Sequence, residues 1–250
     1  MVNVKGKWAL ITGASRGIGY LSAIFMAQQG CNLILHSRSL EGTRKVKEEA
    51  EALGVQTHCV ACELNDLSAV DKMLTEIDAL NVPVDIVLNN AGLQIAYRNE
   101  YLTTPKEDYL VSFNVNTIAP MMICYHFLPK MQERGFGRIL NTTSGITLDP
   151  QQAGYSASKA ALDKVTIDLG MKYEGTNVLI NLTDPGWCRT DLGGPQASNA
   201  PESTIPGIVV GAFVDDGKCG RNLGAQHFAG MTLEEAVAKA EREFDSPYAK

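Results

Sequence analysis

Short runs of apolar residues alternate along the chain with longer stretches in which apolar residues recur at helical spacing. The short runs end at glycine, asparagine or threonine, which is typical of strands buried on both faces. These predicted strands cover positions 8–11, 33–35, 55–60, 84–88, 138–141 and 178–182. The longer stretches predict helices at 17–29, 41–53, 66–80, 105–134 and 153–174. This alternation predicts right-handed βαβ units and a parallel sheet with helices on both faces.

No linker, repeat or low-complexity segment interrupts the pattern, so the sequence predicts one domain over residues 1–250. The composition changes only at 193–207, where three prolines lie among serine and asparagine residues. Because this stretch is too long for an ordinary connection, we expect a substrate loop or lid near 191–210. A further helix is expected near 232–244.

The charge balance excludes some classes of partner. The 250 residues include 22 Lys and Arg against 28 Asp and Glu, a net charge of −6 at pH 7. An acidic chain disfavours nucleic acid or an anionic membrane as the main partner, and no apolar run approaches the about 20 residues of a membrane span. Six scattered cysteines and an N-terminus without the apolar stretch of a signal peptide predict a cytoplasmic protein. Four histidines without ligand spacing predict no metal site.

A glycine-rich turn lies between the first predicted strand and the first predicted helix. It reads Thr-Gly-Ala-Ser-Arg-Gly-Ile-Gly over positions 12–19. Glycines permit a tight turn and the close approach of a phosphate, and the free N–H groups of a helix N-terminus attract a diphosphate. The turn therefore predicts a nucleotide site that includes Gly13, Ser15, Arg16, Gly17, Ile18 and Gly19.

Further motifs follow predicted strands or open a helix in a fixed order. They are Asn89-Asn90-Ala91-Gly92 after the fourth strand, Ser144 after the fifth, Tyr155-Ser156-Ala157-Ser158-Lys159 at a helix start, and Pro185-Gly186-Trp187-Cys188-Arg189-Thr190 after the sixth. With the glycine turn, this order resembles the short-chain dehydrogenase/reductase (SDR) family over nearly the whole chain, in the style of its 3-oxoacyl-thioester reductases and carbonyl reductases. The resemblance implies an α/β fold: a single Rossmann-type domain with a doubly wound parallel sheet of about seven strands.

The resemblance also implies a catalytic group, formed by Asn116, Ser144, Tyr155 and Lys159. In the family the tyrosine exchanges a proton with the substrate oxygen, the lysine holds the nicotinamide ribose, and the serine orients the substrate oxygen. Tyr155 and Lys159 are four residues apart and share one helix face. A lysine ammonium about 4 Å away is expected to lower the pKa of the tyrosine by up to about three units.

Neighbouring hydroxyl groups compete with Ser144 for the serine position. The lead-in Gly137-Arg138-Ile139, which resembles that of the family, selects Ser144. The gap from Ser144 to Tyr155 is about two residues shorter than the resemblance implies, so the loop between them, and with it the shape of the substrate, departs from the family.

Two asparagines compete for the fourth catalytic position. The family pattern places this asparagine four residues before a helix proline, and Asn116 precedes Pro120 by four. We therefore select Asn116. Asn114 is expected on the helix surface or in a local cap.

The expected cofactor is NADP(H) rather than NAD(H). In NAD-preferring relatives an acidic residue ends the second strand and binds the ribose hydroxyls. Here the stretch Leu35-His36-Ser37-Arg38-Ser39 contains no carboxylate, and Ser37 holds the usual acidic position. Arg38, together with Arg16 of the glycine turn, would attract a 2′-phosphate. The alternative is that both arginines are solvated surface charges.

The remaining contacts are implied by the resemblance alone. Expected cofactor contacts are Glu63 and Leu64 at the adenine, Asn90, Ala91 and Gly92 at its ribose, and Pro185, Gly186, Cys188 and Thr190 at the nicotinamide and diphosphate, besides Tyr155 and Lys159. Expected substrate contacts are Ser144, Tyr155, Leu93, Gln94 and Trp187.

The expected function is the reversible, NADPH-dependent reduction of a ketone or aldehyde to an alcohol, with Tyr155 as the proton donor. One alternative is an NAD(P)-linked dehydrogenase that oxidises a sugar or polyol. Another is a nucleotide-binding regulatory protein without catalysis, which the presence of both Tyr155 and Lys159 disfavours. The expected partner is a small carbonyl or alcohol. By resemblance the chain forms a homodimer or homotetramer, and the loosely matching residues 219–244 leave that choice open.

Overall fold

The computed structural model of the chain describes residues 1–248. The strands are β1 Trp8–Ile11, β2 Asn32–Ser37, β3 Thr57–Ala61, β4 Val84–Asn89, β5 Gly137–Thr142 and β6 Val178–Thr183. The α-helices are α1 Gly17–Gln28, α2 Leu40–Ala52, α3 Leu67–Ala79, α4 Lys106–Phe113, α5 Ala119–Arg134, α6 Ala153–Gly170 and α7 Leu233–Glu243. A π-helical turn, Asn114–Ile118, joins α4 to α5.

The six strands form one parallel sheet in the order β3-β2-β1-β4-β5-β6. Strands β1, β4 and β6 are buried at every residue, as uninterrupted apolar runs predict. The strand order reverses between β1 and β4, so the loops that follow these two strands diverge and leave a crevice at the carboxyl edge. The structure confirms the α/β, doubly wound, Rossmann-type fold.

The sheet has six strands within residues 1–248 instead of the about seven expected. A short segment beside β6 occupies the place of a seventh strand, where Asn222 forms a single parallel bridge with Leu182. The N–H groups of Gly220 and Leu223 donate to β6 carbonyls at 2.8 and 2.9 Å. Gly220 adopts a left-handed backbone, with φ at +69°, which interrupts the extended conformation a longer strand would need.

Two buried arginines fasten this segment to the sheet. Arg138 of β5 donates to the carbonyls of Gly137, Asn177 and Val214. Arg221 donates to both carboxylate oxygens of Asp216, at 2.6 and 3.0 Å. A buried guanidinium must find fixed acceptors in place of water, so these contacts hold the turn at 214–216 and the segment at 220–223 in one arrangement.

The predicted helix at 105–134 is interrupted by the π-helical turn. Pro120 has no N–H, so the carbonyl of Asn116, four residues earlier, receives no helical hydrogen bond from it. The N–H of Ala119 instead reaches back five residues to the carbonyl of Asn114. Asn116 lies in this widened turn and is fully buried.

The region predicted as a lid is only partly a surface loop. Residues Pro201–Thr204 and Gly207–Ala212 form 3₁₀ turns, and residues 206–214 are buried in the core. The outer part, 191–200, lies at the surface near the crevice. Helix α7 lies within the stretch where the C-terminal helix is predicted, and Thr232 and Glu235 form a capping box at its start.

None of the helices formed by residues 1–248 is both long and apolar enough to cross a membrane.

We expect Asp216→Ala to lower the free energy of unfolding by about 3–5 kcal/mol, because the change leaves the charge of Arg221 buried without its partner. The two side chains are 13% and 1% exposed. Urea unfolding of both proteins measures the difference. The matched control is Asp215→Ala, which removes a more exposed carboxylate from Arg138 while the carbonyl acceptors of that arginine remain. An equal loss of stability in the two variants would contradict this account.

Candidate cofactor and active site

The glycine turn packs directly against the loop that follows β4. A Cβ atom added at Gly19 would lie 2.2 Å from the carbonyl oxygen of Gly13, and one added at Gly13 would lie 3.0 Å from the Cα of Ala91. Gly13 and Gly17 also have left-handed φ angles of +69° and +56°. A side chain at Gly13 or Gly19 would therefore collide with the backbone, and one at Gly17 would be strained by its left-handed conformation.

Hydrogen bonds hold the two loops at this distance. The side-chain amide of Asn90 donates to the carbonyl of Thr12 at 3.1 Å. In the same direction, the N–H of Ala91 donates to the hydroxyl oxygen of Thr12 at 3.0 Å. The glycine turn and the motif from Asn90 to Gly92, which were predicted separately, are therefore hydrogen-bonded to each other and line the same crevice.

His36 supports the turn from the other side, a role that sequence analysis missed because it considered histidines only as metal ligands. Its Nδ1 accepts the N–H of Gly13 at 3.3 Å, and its Nε2 lies 3.0 Å from the carbonyl of Cys62. Burial lowers the pKa of His36, so the ring is neutral, accepting at Nδ1 and donating from Nε2. The ring thereby connects the glycine turn to the ends of β2 and β3.

The N-terminus of α1 opens into the crevice. The helix begins at Gly17 with no acidic residue in its first turn and no side-chain cap from Arg16. Its N–H groups and the positive end of its dipole are available to an anion. Thr190 approaches from the opposite loop, with its methyl carbon 3.5 Å from a Cβ placed at Gly17. The Arg16 guanidinium forms an exposed ion pair with Asp191 at 3.1 Å.

Ser15 and Ser37 meet beside the first turn of α2. A Cβ at Gly42 would lie 2.8 Å from the Oγ of Ser37 and 3.5 Å from the Cβ of Ser15. The adjacent Arg38 is exposed. The carboxylate nearest to it in the chain, Glu41, pairs with Arg44 at 2.9 Å, which leaves Arg38 free of that charge.

The structure places Glu63 and Leu64 just after β3, next to the end of β2. The N–H of Cys62 donates to the carbonyl of Ser37 at 3.0 Å, which joins these two strand ends. Glu63 is exposed and its carboxylate accepts the N–H of Asn65 at 3.1 Å, whereas Leu64 is buried.

Tyr155 and Lys159 lie buried on α6, which starts beside the end of β5. The Nζ of Lys159 donates to the carbonyl of Thr142 at 2.7 Å and lies 3.8 Å from a Cβ placed at Gly92. Ser144 lies in the loop after β5 and interacts with the Tyr155 phenol. The tyrosine, lysine and serine predicted from separate motifs are therefore brought together.

Asn116 lies on the same side of the crevice. Its carboxamide exchanges two hydrogen bonds of 2.8 Å with the backbone of Leu93 and donates to the Ser158 hydroxyl at 3.0 Å. Its oxygen lies 3.6 Å from a Cβ placed at Gly92. Asn114 instead donates to the carbonyl and side chain of Asn65. Only Asn116 therefore approaches the surroundings of Lys159.

The expected decrease in the pKa of Tyr155 was wrong for this structure. Burial raises the pKa of Tyr155, a hydrogen bond with Ser144 lowers it, and the charge of Asp184 raises it again. The Lys159 ammonium is directed to the carbonyl of Thr142, and burial lowers its own pKa to about 8, against the opposing charges of Asp163 and Asp184. The phenol is therefore protonated at neutral pH.

Sequence analysis also missed two carboxylates that flank this pair. Asp163 lies one helical turn after Lys159, and burial raises the pKa of its carboxyl group. Asp184 follows β6, and its Oδ1 accepts the N–H of Gly186 at 2.8 Å. The spacing of four residues from Lys159 and the position just before Pro185 were the available signals.

The loop after β6 is fastened to the outer segment 191–200. The carbonyl of Trp187 accepts the N–H of Asn199 at 3.0 Å, and Cys188 forms a bridge with the same residue. The indole N–H of Trp187 donates to the carbonyl of Gly193 at 2.8 Å. The carbonyl of Pro185 accepts the side-chain amide of Gln226 at 2.8 Å. The predicted contacts Pro185, Gly186, Cys188 and Thr190 thus form one wall of the crevice.

A family model for short chain dehydrogenases matches residues 7–201. The chain belongs to the short-chain dehydrogenase family. The members of this family are NAD(P)-dependent oxidoreductases. All the motifs described above, from Thr12 to Thr190, lie within the matched residues.

This short-chain dehydrogenase is 34% identical over 194 residues to the 3-oxoacyl-[acyl-carrier-protein] reductase of Aquifex aeolicus, covering 76% of this chain and 77% of that protein. It is also 34% identical over 197 residues to an uncharacterised oxidoreductase of Mycobacterium bovis, where the match covers 77% of this chain but only 58% of the relative. Among solved structures, a metagenomic short-chain oxidoreductase in complex with NADP has a TM-score of 0.70 at 28% identity, covering 81% of this chain and 88% of that one.

We expect Lys159→Met to raise the free energy of unfolding of this short-chain dehydrogenase by about 1–3 kcal/mol at pH 7. The folded pKa of Lys159 is about 8 against an ordinary 10.5, so the buried ammonium destabilises the fold fully below pH 8. The gain should shrink as the pH rises from 8 to 10.5 and vanish above 10.5, where the lysine is neutral in both states.

Urea unfolding at pH 7 and 9.5 measures this effect. Lys164→Met is the matched control, since Lys164 is an exposed lysine of the same helix and should show no such gain. A variant less stable than the wild type at pH 7, with no dependence on pH, would contradict the expectation.

Proposed function

We propose that this short-chain dehydrogenase reduces a ketone or aldehyde to an alcohol with NADPH, in a reversible reaction. The observation that carries the proposal is the buried, protonated phenol of Tyr155 beside the hydroxyl of Ser144, in the same crevice as the glycine turn. A proton donor and a nucleotide cradle in one crevice are what carbonyl reduction by a nicotinamide requires.

The residues of the crevice fit a dinucleotide phosphate. Glycines at positions 13, 17 and 19 allow a diphosphate to approach the backbone, and the open N-terminus of α1 would bind it. The further residues proposed to hold the cofactor are Ser15, Arg16, Ile18, Ser37, Arg38, Glu63, Leu64, Asn90, Ala91, Gly92, Tyr155, Lys159, Pro185, Gly186, Cys188 and Thr190. When bound, NADPH would supply the hydride.

The chain itself would handle the proton. The substrate oxygen would accept hydrogen bonds from Tyr155 and Ser144, and the phenol proton would pass to that oxygen as the carbonyl carbon gains hydride. The products are then an alcohol and the oxidised cofactor. Lys159, with a pKa near 8, can exchange a proton near neutral pH, and Asn116 fixes the backbone of Leu93 beside it. Leu93, Gln94 and Trp187 are the proposed substrate contacts.

The choice of NADPH over NADH is supported by the end of β2. Ser37 lies where a carboxylate would repel a 2′-phosphate, and the exposed Arg38 adjoins it. The metagenomic short-chain oxidoreductase, a structural relative of this chain, was solved in complex with NADP, which is consistent with this choice.

Assembly into a homodimer or homotetramer is also proposed. Helices α4 and α5 and the π-helical turn between them carry a stripe of exposed apolar side chains, Leu110, Ile118 and Tyr125. A face of this kind is typical of contacts between protein chains. The cytoplasmic location stays a prediction from the sequence.

We expect Tyr155→Phe to lower kcat/KM for carbonyl reduction by about 10²–10⁴-fold, because the variant lacks the proton donor. NADPH binding, measured by the fluorescence of the bound nucleotide, should change less than about threefold. Tyr125→Phe, a change at an exposed tyrosine of α5, is the matched control and should retain activity. Retention of turnover by Tyr155→Phe would refute the mechanism.

We expect Arg38→Ala to raise the KM for NADPH at least about tenfold, the loss of one charge-assisted phosphate contact, and to leave the KM for NADH nearly unchanged. Ser37→Asp should lower the preference for NADPH further, because its carboxylate would repel the 2′-phosphate. Steady-state kinetics with both nucleotides measure these effects. The control is Arg44→Ala on α2, an exposed arginine that already pairs with Glu41. An unchanged NADPH preference in both site variants would show that the assignment is wrong.

A further inference from the structure

Three loops form a common rim around Ser144 and Tyr155. They follow the carboxyl ends of β4, β5 and β6 and cover residues 90–105, 143–152 and 184–200. The first two loops are joined by hydrogen bonds of 3.1 Å, from the N–H of Arg98 to the carbonyl of Gln151 and from the amide of Gln152 to the carbonyl of Ile95. A Cβ placed at Gly145 would lie 3.2 Å from the Oδ2 of Asp184, so the second and third loops also touch.

Each loop of the rim exposes a large apolar side chain. Tyr97, Leu148 and Trp187 are 59%, 96% and 58% exposed. The indole N–H of Trp187 is already bonded to Gly193, so the ring offers only its apolar faces to a ligand. Exposed apolar surface beside a catalytic group is typical of a site for an apolar ligand.

Leu148 also has a left-handed backbone, with φ at +57°. This conformation is strained for a leucine, and it holds the side chain almost wholly in solvent. The backbone conformation costs free energy in the folded chain, and the exposed side chain gains none from burial. They fall in the loop between Ser144 and Tyr155, which is the loop that borders the substrate oxygen in the proposed function.

The charge of the rim is negative at its reacting end. The Oδ2 of Asp184 accepts no hydrogen bond from residues 1–248, while Oδ1 accepts the N–H of Gly186. The Asp184 carboxylate raises the pKa of both Tyr155 and Lys159, so its charge reaches the catalytic pair. Asp184 therefore lies at the contact between the second and third loops, close enough for its charge to act on Tyr155 and Lys159.

The cationic side chains of the rim are already engaged. The three loops contain two cations, Arg98 and Arg189, against four acidic residues, Glu100, Asp149, Asp184 and Asp191. Arg98 forms a two-bond ion pair with Asp108, at 2.7 and 3.0 Å. Arg189 donates to the carbonyls of Ala197 and Ser198, both at 3.0 Å. Asp191 pairs with Arg16, and the Lys159 ammonium donates to the carbonyl of Thr142. Among the three loops, no cation is therefore left unengaged to offset the repulsion that a substrate carboxylate or phosphate would meet beside Asp184.

We propose that the substrate is an uncharged ketone with a bulky apolar group, that Leu148 contacts this group, and that Asp184 rejects substrates with an anionic group beside the carbonyl. This inference rests on the proposed function and narrows the class of carbonyl compounds that the enzyme reduces. It favours an uncharged ketone with a bulky apolar group over a phosphate-bearing thioester as the substrate.

The test uses four 2-oxo compounds that vary bulk and charge separately: ethyl benzoylformate, benzoylformate, ethyl pyruvate and pyruvate. With NADPH and the full chain, kcat/KM should be highest for ethyl benzoylformate and at least about 100-fold lower for benzoylformate. Asp184→Asn keeps an acceptor for the N–H of Gly186 and should reduce this ratio at least tenfold. Leu148→Ala should lower kcat/KM about tenfold for ethyl benzoylformate and less than threefold for ethyl pyruvate.

The matched controls are Asp168→Asn and Leu53→Ala, changes at exposed residues outside the three loops. They should change neither the ratio of kcat/KM between ester and acid nor the ratio between ethyl benzoylformate and ethyl pyruvate. Calorimetric titration of the Tyr155→Phe variant, loaded with NADPH, measures ester and acid binding without turnover. Selective binding of the ester without any reduction by the wild type would refute the proposed function but support the preference for an uncharged ligand. Equal or tighter binding of benzoylformate would overturn the proposed preference for an uncharged substrate. An unchanged ratio of kcat/KM between ethyl benzoylformate and benzoylformate in Asp184→Asn would overturn it as well.

Discussion

The close contact between the glycine turn after β1 and the loop after β4 is the constraint on which the site depends. These strands lie at the reversal of strand order, where loops otherwise diverge. Glycines at 13 and 19 let the backbones touch, and Thr12 accepts hydrogen bonds from Asn90 and Ala91 across the gap. This contact fixes the distance between the glycine turn and helix α6. The loop after β4 continues to Gly92, which lies next to the side chains of Lys159 and Asn116.

Burial sets the electrostatics of the catalytic pair more than the lysine does. The site raises the pKa of Tyr155 and lowers that of Lys159, so it favours the neutral form of both groups. A phenol that keeps its proton suits donation to a carbonyl oxygen. The carboxylates of Asp163 and Asp184 keep the lysine near its titration range instead of fully neutral. Residues placed for chemistry thus reduce the stability of the fold, as is common in enzyme sites.

Local patterns predicted most of the fold because they reflect local physics. Buried parallel strands require apolar runs, and a diphosphate at a helix N-terminus requires glycines, so both leave signals in short windows of sequence. The predicted strands and helices agree with the observed ones apart from the helix at 105–134, which the π-helical turn divides, and the motifs with Tyr155, Lys159 and Ser144 meet at one edge of the sheet. Asn116 follows from Pro120, whose missing N–H opens the helix at that residue.

Other features depend on contacts between distant parts of the chain, which short windows do not contain. The seventh strand is reduced to a bridge because Gly220 turns the backbone and buried Arg138 and Arg221 hold the segment instead. The pKa of Tyr155 depends on burial by elements far apart in sequence, and His36 acts through Gly13, 23 residues away. The amino-acid order alone thus predicted the fold class and the family and pointed to the proposed catalytic residues, since each depends on neighbours along the chain. Tertiary packing decided their protonation, the charge of the rim and the form of the C-terminal segment, because desolvation and long-range pairing exist only once the chain is folded.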